Sequence, residues 1–168
     1  MGPKSVQDSQ ITMAIQMNPE HANPVGNVHG GVIMHYVDTA AGVAAIRHSR
    51  KNAVTASIDR LDFHFPVYVG DLLILKASVN LVGRTSMEVG VRVEAENLRT
   101  GEVRHTASAY LTFVALDANG RPSEVPELRL ETDDEIRRNC EAVGRKEFRL
   151  AEKAREKCGL NKKIKTDN

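Results

Sequence analysis

Residues 30–48, GGVIMHYVDTAAGVAAIRH, decide the fold. Two glycines open a helical stretch whose interior, Ala40-Ala41-Gly42-Val43-Ala44-Ala45, presents small side chains around its whole circumference. Small side chains let neighbouring backbones approach closely, so the pattern predicts a helix enclosed on most sides. Everything that follows reads as strand. Residues 53–65 stop at Pro66, 71–82 follow Gly70, and 85–97 alternate cleanly. In that third run Met87, Val89, Val91, Val93 and Ala95 share one face, with Glu88, Arg92, Glu94 and Glu96 on the other. A turn at Arg99-Thr100-Gly101 returns the chain through 102–116 to a second turn, Asp117-Ala118-Asn119-Gly120. One buried helix followed by strands predicts an α+β fold, an antiparallel sheet packed around the helix.

Upstream, residues 18–31 are rich in Asn, Pro, Gly and His and read as a loop, and residues 1–17 as an arm or a first short strand. Downstream, Thr132-Asp133-Asp134-Glu135 is a capping box that starts a charged helix running toward Lys157. Ile136, Cys140 and Val143 suggest a narrow apolar stripe on it. Residues 145–165 hold nine Lys or Arg against three Glu. That excess reads either as a solvated face or as contact with an anionic ligand. The expected division is a folded α+β domain over 1–130 and a helical extension with a basic tail over 131–168.

The 168 residues suit one domain of ordinary size, and 41% hydrophobic with 27% charged residues is a globular composition. Lys plus Arg number 23 against 22 Asp plus Glu. A net charge of +1 and only 4% aromatics argue against a dedicated nucleic-acid binder, which needs surplus cations or stacking platforms. The most apolar stretch, 31–46, contains His35 and Asp38 and is too short to span a membrane, so no membrane partner is expected. The N-terminus lacks an apolar signal core, and a cytoplasmic location is the expectation. Cys140 and Cys158, on one continuous helix, would lie roughly 27 Å apart and read as free thiols.

Asp38 is the unusual residue. It stands about two turns into a helix expected to be enclosed, and burying a carboxylate costs several kcal/mol unless it is paired or bonded. His35 is the one basic residue a turn away. Position alone leaves two readings open: a carboxylate bonded to backbone or water, or a general base. Ahead of it, Asn23-Pro24-Val25-Gly26-Asn27-Val28-His29-Gly30-Gly31 leads a glycine pair into the helix. Free N–H groups there would suit an oxyanion or a phosphate. No metal-ligand spacing, P-loop or nucleophile elbow occurs, and the histidines read as packing or polar-contact residues.

These residues resemble the hotdog-fold acyl-CoA thioesterases, in particular the group containing the brain-type cytosolic acyl-CoA hydrolases. The likeness begins at ANPVGNVHGGVIMHYVDTAAG (22–42) and continues through TASIDRLDFHFPVYVGD (55–71), GRTSMEV (83–89) and ASAYLTFVAL (107–116) to VPELRLETDDE (125–135). It spans about residues 10–155. The resemblance implies an acyl-CoA hydrolase in which the sheet wraps the helix and two subunits join sheets, with trimers of dimers usual. It implies a site at the dimer interface with Asn23 from one subunit and Asp38 from its partner. Asp38 would activate or orient water, Asn23 would position water or substrate, and the backbone N–H of Gly31, beside Gly30 in the oxyanion and substrate site, would hold the thioester oxygen at the helix N-terminus.

A thioester is already electrophilic, so a carboxylate base and amide donors suffice without metal or cofactor. Coenzyme A is part of substrate and product. Its phosphates make Arg84-Thr85-Ser86, at a strand turn, the candidate coenzyme A contact. Met34, Tyr36 and residues 54–57 read as pocket walls or as ordinary core. The alternatives are a non-catalytic acyl-CoA-sensing module and a hotdog dehydratase, against which the Asn23, Gly30-Gly31 and Asp38 set speaks.

Overall fold

The computed structural model describes residues 2–166. Two short strands, β1 (Lys4–Ser5) and β2 (Ile11–Gln16), precede α1 (Gly30–Ser49). Then come β3 (Asn52–Phe63), β4 (Leu72–Val82), β5 (Ser86–Glu96), β6 (Val103–Leu116), β7 (Leu128–Arg129) and α2 (Asp133–Thr166). Five strands form one antiparallel sheet in the order β2-β4-β5-β6-β3. β1 pairs in parallel with β7. This is the expected α+β architecture, with the N-terminal arm resolved into two strands.

The alternation in β5 buries Met87, Val89, Val91, Val93 and Ala95 on the face toward α1. Leu73, Leu75, Ala77 and Val79 of β4 and Ala107, Ala109, Leu111, Phe113 and Ala115 of β6 join them. From α1, Ile33, Val37, Ala40, Ala41, Ala44, Ala45 and His48 complete the core. The alanines bring the helix axis close to the sheet, and Phe113 packs over Gly42, where an added Cβ would lie 3.5 Å from its ring.

The helix is not enclosed on most sides. Met34, Val43 and Ile46 are exposed on its outer surface in the single chain. Further apolar side chains are exposed on and after β3: Val54, Ile58, Phe63 and Phe65. β3 is a 12-residue edge strand, and such a long edge of unpaired backbone groups is a template for another strand.

At the other end of α1, Lys4 Nζ donates to the carbonyls of Arg47 (3.1 Å) and His48 (2.7 Å), a cation on the helix C-terminus. His48 is fully buried beneath this strap, with Nε2 3.0 Å from the Pro126 carbonyl oxygen and no hydrogen-bond partner for Nδ1. Burial pulls its pKa below the usual histidine value.

The capping box forms as expected: Glu135 N–H donates to Thr132 Oγ1, and Thr132 N–H to Glu135 Oε2, both at 3.2 Å. The apolar stripe does not. Ile136, Cys140 and Val143 face away from the sheet, and Ala142 is buried instead. Around it, Asn139 donates to the Asn80 carbonyl (2.7 Å), Arg145 binds the buried Glu88 (2.7 Å) and Arg149 binds Asp59. Long cationic side chains lie over the sheet and deliver their charge to its carboxylates. Part of the basic excess over 145–165 is therefore spent on the fold; Cys158 and the side chains of its later lysines lie outside the described residues.

Candidate active site

The loop before α1 is built around Asn23. Its N–H donates to the Asn27 carbonyl (2.7 Å), and its Oδ1 accepts from the N–H groups of Val25 (2.9 Å) and Asn27 (3.2 Å). Gly26, at φ 92°, supplies the left-handed residue this tight turn needs. With Oδ1 committed to the loop, the Nδ2 group is the end of the side chain left to donate outward. Asn23 borders a groove of about 350 Å³ whose other walls include Asn27, Gly30, Ile33, Phe63, His64 and Phe65.

Of the two glycine N–H groups expected to be free, one is occupied. His29 is the N-cap of α1, and its Nδ1 accepts from Gly31 N–H at 3.0 Å. Gly30 N–H makes no hydrogen bond among the described residues. The reason is local: the sequence places a ring acceptor two residues before an orphan donor, and a side chain can swing where a backbone cannot.

Asp38 is half-buried on α1, and its Oδ1 accepts from Thr55 Oγ1 of β3 at 2.5 Å. Oδ2 has no hydrogen-bond partner and Asp38 has no ion-pair partner among the described residues. His35 is not that partner; its ring meets Tyr36 edge-on, centroids 5.3 Å apart. One oxygen is thus oriented by a hydroxyl, and the other carries no hydrogen bond among the described residues. Thr55 escaped the sequence reading because a β-branched residue in a strand is ordinary. Its stretch, 54–57, drew notice only as a wall.

Asp38 lies eight residues beyond Gly30, about 12 Å along the helix, so one chain does not bring it to Asn23 and Gly30. Arg84, Thr85 and Ser86 form the β4–β5 turn, closed by Gly83 N–H on the Ser86 carbonyl (2.7 Å). The Arg84 side chain is 82% exposed and only loosely paired with Glu124 (3.9 Å), leaving its guanidinium open to an anion. Ser86 pairs with Val114, which pairs with Val54, so the turn shares the Thr55 end of the sheet. No group of carboxylate, histidine or cysteine side chains among the described residues has a metal-binding arrangement. Among the described residues, no helix is long and apolar enough to cross a membrane.

Residues 25–102 match the family model described as the thioesterase superfamily. The chain is 41% identical over 139 residues to an acyl-CoA thioester hydrolase, YkhA, of Bacillus subtilis, covering 83% of this chain and 81% of that one. It is 36% identical to the cytosolic acyl coenzyme A thioester hydrolase of mouse over 85% of its own length, which is 38% of the mouse protein. A hexameric acyl-CoA thioesterase superposes with a TM-score of 0.88 at 39% identity, covering 92% of this chain and 99% of that one. An acyl-CoA hydrolase of Staphylococcus aureus, in a variant complexed with coenzyme A, gives 0.89 at 33% identity, with 95% and 96% covered. That enzyme has been crystallised as alanine variants of an asparagine, of an aspartate fifteen residues later and of a threonine seventeen beyond the aspartate. The chain belongs to the hotdog-fold acyl-CoA thioesterases of the thioesterase superfamily.

Proposed function

We propose that this chain hydrolyses acyl-CoA thioesters at a site shared by two subunits, with Asp38 of one and Asn23, Gly30 and Gly31 of the other. The observation that carries the reading is Asp38 itself, one oxygen fixed by Thr55 and the other unpaired. A water held by Oδ2 attacks the thioester carbonyl carbon and gives its proton to the carboxylate. The oxyanion takes hydrogen bonds from Gly30 N–H, from Asn23 Nδ2 and from Gly31 N–H once His29 turns aside. Collapse of the tetrahedral intermediate breaks the carbon–sulfur bond, and the proton on Asp38 passes to the leaving thiolate. The products are a carboxylic acid and coenzyme A.

Two subunits are needed because of the 12 Å between the half-sites. Antiparallel pairing of β3 with β3 of a second copy runs the two helices in opposite directions. The Thr55 end of one strand then meets the Phe63 end of the other, carrying Asp38 toward the partner copy's glycine pair. The exposed apolar residues of α1 and β3 support this contact. The spacing supports the roles: Asp38 stands fifteen residues after Asn23 and Thr55 seventeen after Asp38, as the altered residues of the S. aureus enzyme do.

Arg84, Thr85 and Ser86 meet the phosphates of coenzyme A in this reading. Assembly into a trimer of dimers draws support from the hexameric neighbour, and a cytoplasmic location from the cytosolic mouse relative. Residues 1–130 are the catalytic domain and 131–168 an extension, whose α2 is anchored to the sheet through Asn139, Arg145 and Arg149. No observation favours the acyl-CoA-sensing alternative.

The test is release of free thiol from acyl-CoAs of increasing chain length by wild type and Asp38→Ala. Turnover that collapses in the variant supports the mechanism. Equal turnover removes Asp38 from it.

A further inference from the structure

We infer that Arg149 on α2 is a positioning residue for this hydrolysis, its ion pair with Asp59 fixing the bulged edge strand that holds Thr55 against Asp38. The inference rests on the reading of Asp38 as the base.

β3 does not pair evenly with β6. Thr55 faces Phe113 and Ser57 faces Thr112, leaving Ala56 unpaired; Ile58 faces Leu111 and Arg60 faces Tyr110, leaving Asp59 unpaired. Two bulges therefore fall within five residues of an edge strand, immediately after Thr55. Each removes ladder bonds from one partner strand and bends the chain. An edge strand has no second neighbour to compensate. A slip of one residue there would turn Thr55 to the opposite face and release Asp38.

Arg149 closes that freedom. Its guanidinium holds Asp59, the second bulged residue, whose other oxygen accepts from Ser57 Oγ at 3.1 Å. Both side chains are largely withdrawn from water, Arg149 at 16% and Asp59 at 12% exposure, so the pair is less screened than a surface pair. The remaining polar anchors of α2 serve strands with neighbours on both sides: Asn139 holds β4 and Arg145 holds Glu88 of β5. Among the described residues, Arg149 is the α2 side chain that bonds to β3. The path runs from Arg149 through Asp59 and Ser57 to Thr55 and Asp38.

A merely structural ion pair would change stability without changing turnover per folded molecule. Steady-state kinetics on folded protein, quantified by circular dichroism and melting, separates the two. Arg149→Ala and Asp59→Asn each lower kcat about tenfold with KM little changed. Arg149→Lys recovers most of the loss. In a Thr55→Val background Arg149→Ala adds no further loss, because both changes act through one contact. Unchanged kcat in Arg149→Ala, or a loss that multiplies in full on top of Thr55→Val, overturns the inference. Should Arg149→Ala not fold, Asp59→Asn, which keeps shape, is judged by the same cycle. Wild-type turnover in Asp38→Ala would sink the parent reading instead, whatever Arg149 does.

Discussion

Thr55 Oγ1 lies 2.5 Å from Asp38 Oδ1, a bond from the sheet's edge strand to the middle of the central helix. It sets the direction of the carboxylate and leaves Oδ2 without a hydrogen-bond partner among the described residues, the oxygen proposed above to take the proton from water. Replacing Asp38 by Asn keeps the shape and removes the base. The expected loss in kcat is about a hundredfold or more. Thr55→Val keeps the branched shape and removes the hydroxyl, for about a tenfold loss, near 1.4 kcal/mol of barrier. Stopped-flow thiol release on both variants checks the order.

A shared site makes a prediction no single-chain site makes. Asn23→Ala and Asp38→Ala chains are each inactive alone. Unfolded together and refolded, they form mixed dimers in which one site regains both residues. Random pairing of equal amounts restores about a quarter of wild-type activity, half the dimers carrying one of two sites. Activity that stays at the level of the separate variants would place both residues in one chain's site.

Ile58 is exposed on the open edge strand. Ile58→Lys puts a charge where a second copy's strand would lie. The expected result is a shift toward monomer in analytical ultracentrifugation, accompanied by loss of thioester hydrolysis. Monomers that retain full activity would contradict the shared site.

How much of this the residues announced depends on the range of the force involved. The alternation of Met87 to Ala95 and the glycine entry at Gly30 are local patterns, and both elements formed where the pattern put them. Thr132 and Glu135 likewise needed only each other. Thr55 announced nothing, since its role exists only once β3 lies beside α1. The inner face of α2 was misread for a related reason: Arg145 and Arg149 look like solvent residues until Glu88 and Asp59 are brought beneath them. The outer surface of α1 was expected to be covered, and Met34, Val43 and Ile46 are exposed in one chain.

His48 gives the stability a pH dependence. A histidine buried neutral has a folded pKa below its unfolded value near 6.5, so the unfolded chain binds the extra proton. The stabilisation is present above the unfolded pKa and is lost as pH falls below it, by at most about 1.4 kcal/mol per pH unit. Thermal melts between pH 7.5 and 5.5, as roughly bracketed by that pKa, should show a steeper fall in Tm for wild type than for His48→Gln. Glu94, held low by its bonds to Lys76 and Arg92, acts in a lower window and is lost only as pH falls below the ordinary glutamate value.

Gly90 pairs with Ser78, and a Cβ there would lie 2.6 Å from Nδ2 of Asn80, the residue left unpaired by the register shift in β4. Gly90→Ala forces that buried amide off Glu88, at a cost of about 1–3 kcal/mol. Chemical denaturation reads the loss directly. A second change, Asn80→Ala, relieves the crowding and recovers part of it.

The strap over the end of α1 also orders events in time. Lys4 and Ser5 align with Leu128 and Arg129, so among the described residues β1 pairs with a strand that follows all five strands of the main sheet in the sequence. A chain growing from its N-terminus completes all five strands of the sheet before that partner exists. Closure over so long a separation is slow in entropy terms and is rewarded only after the intervening structure has shortened the gap. The same short strand carries Lys4 to the C-terminal carbonyls of α1. The end of the helix that carries Asp38 is therefore held by a strap whose two strands lie on either side of the whole five-stranded sheet in the sequence.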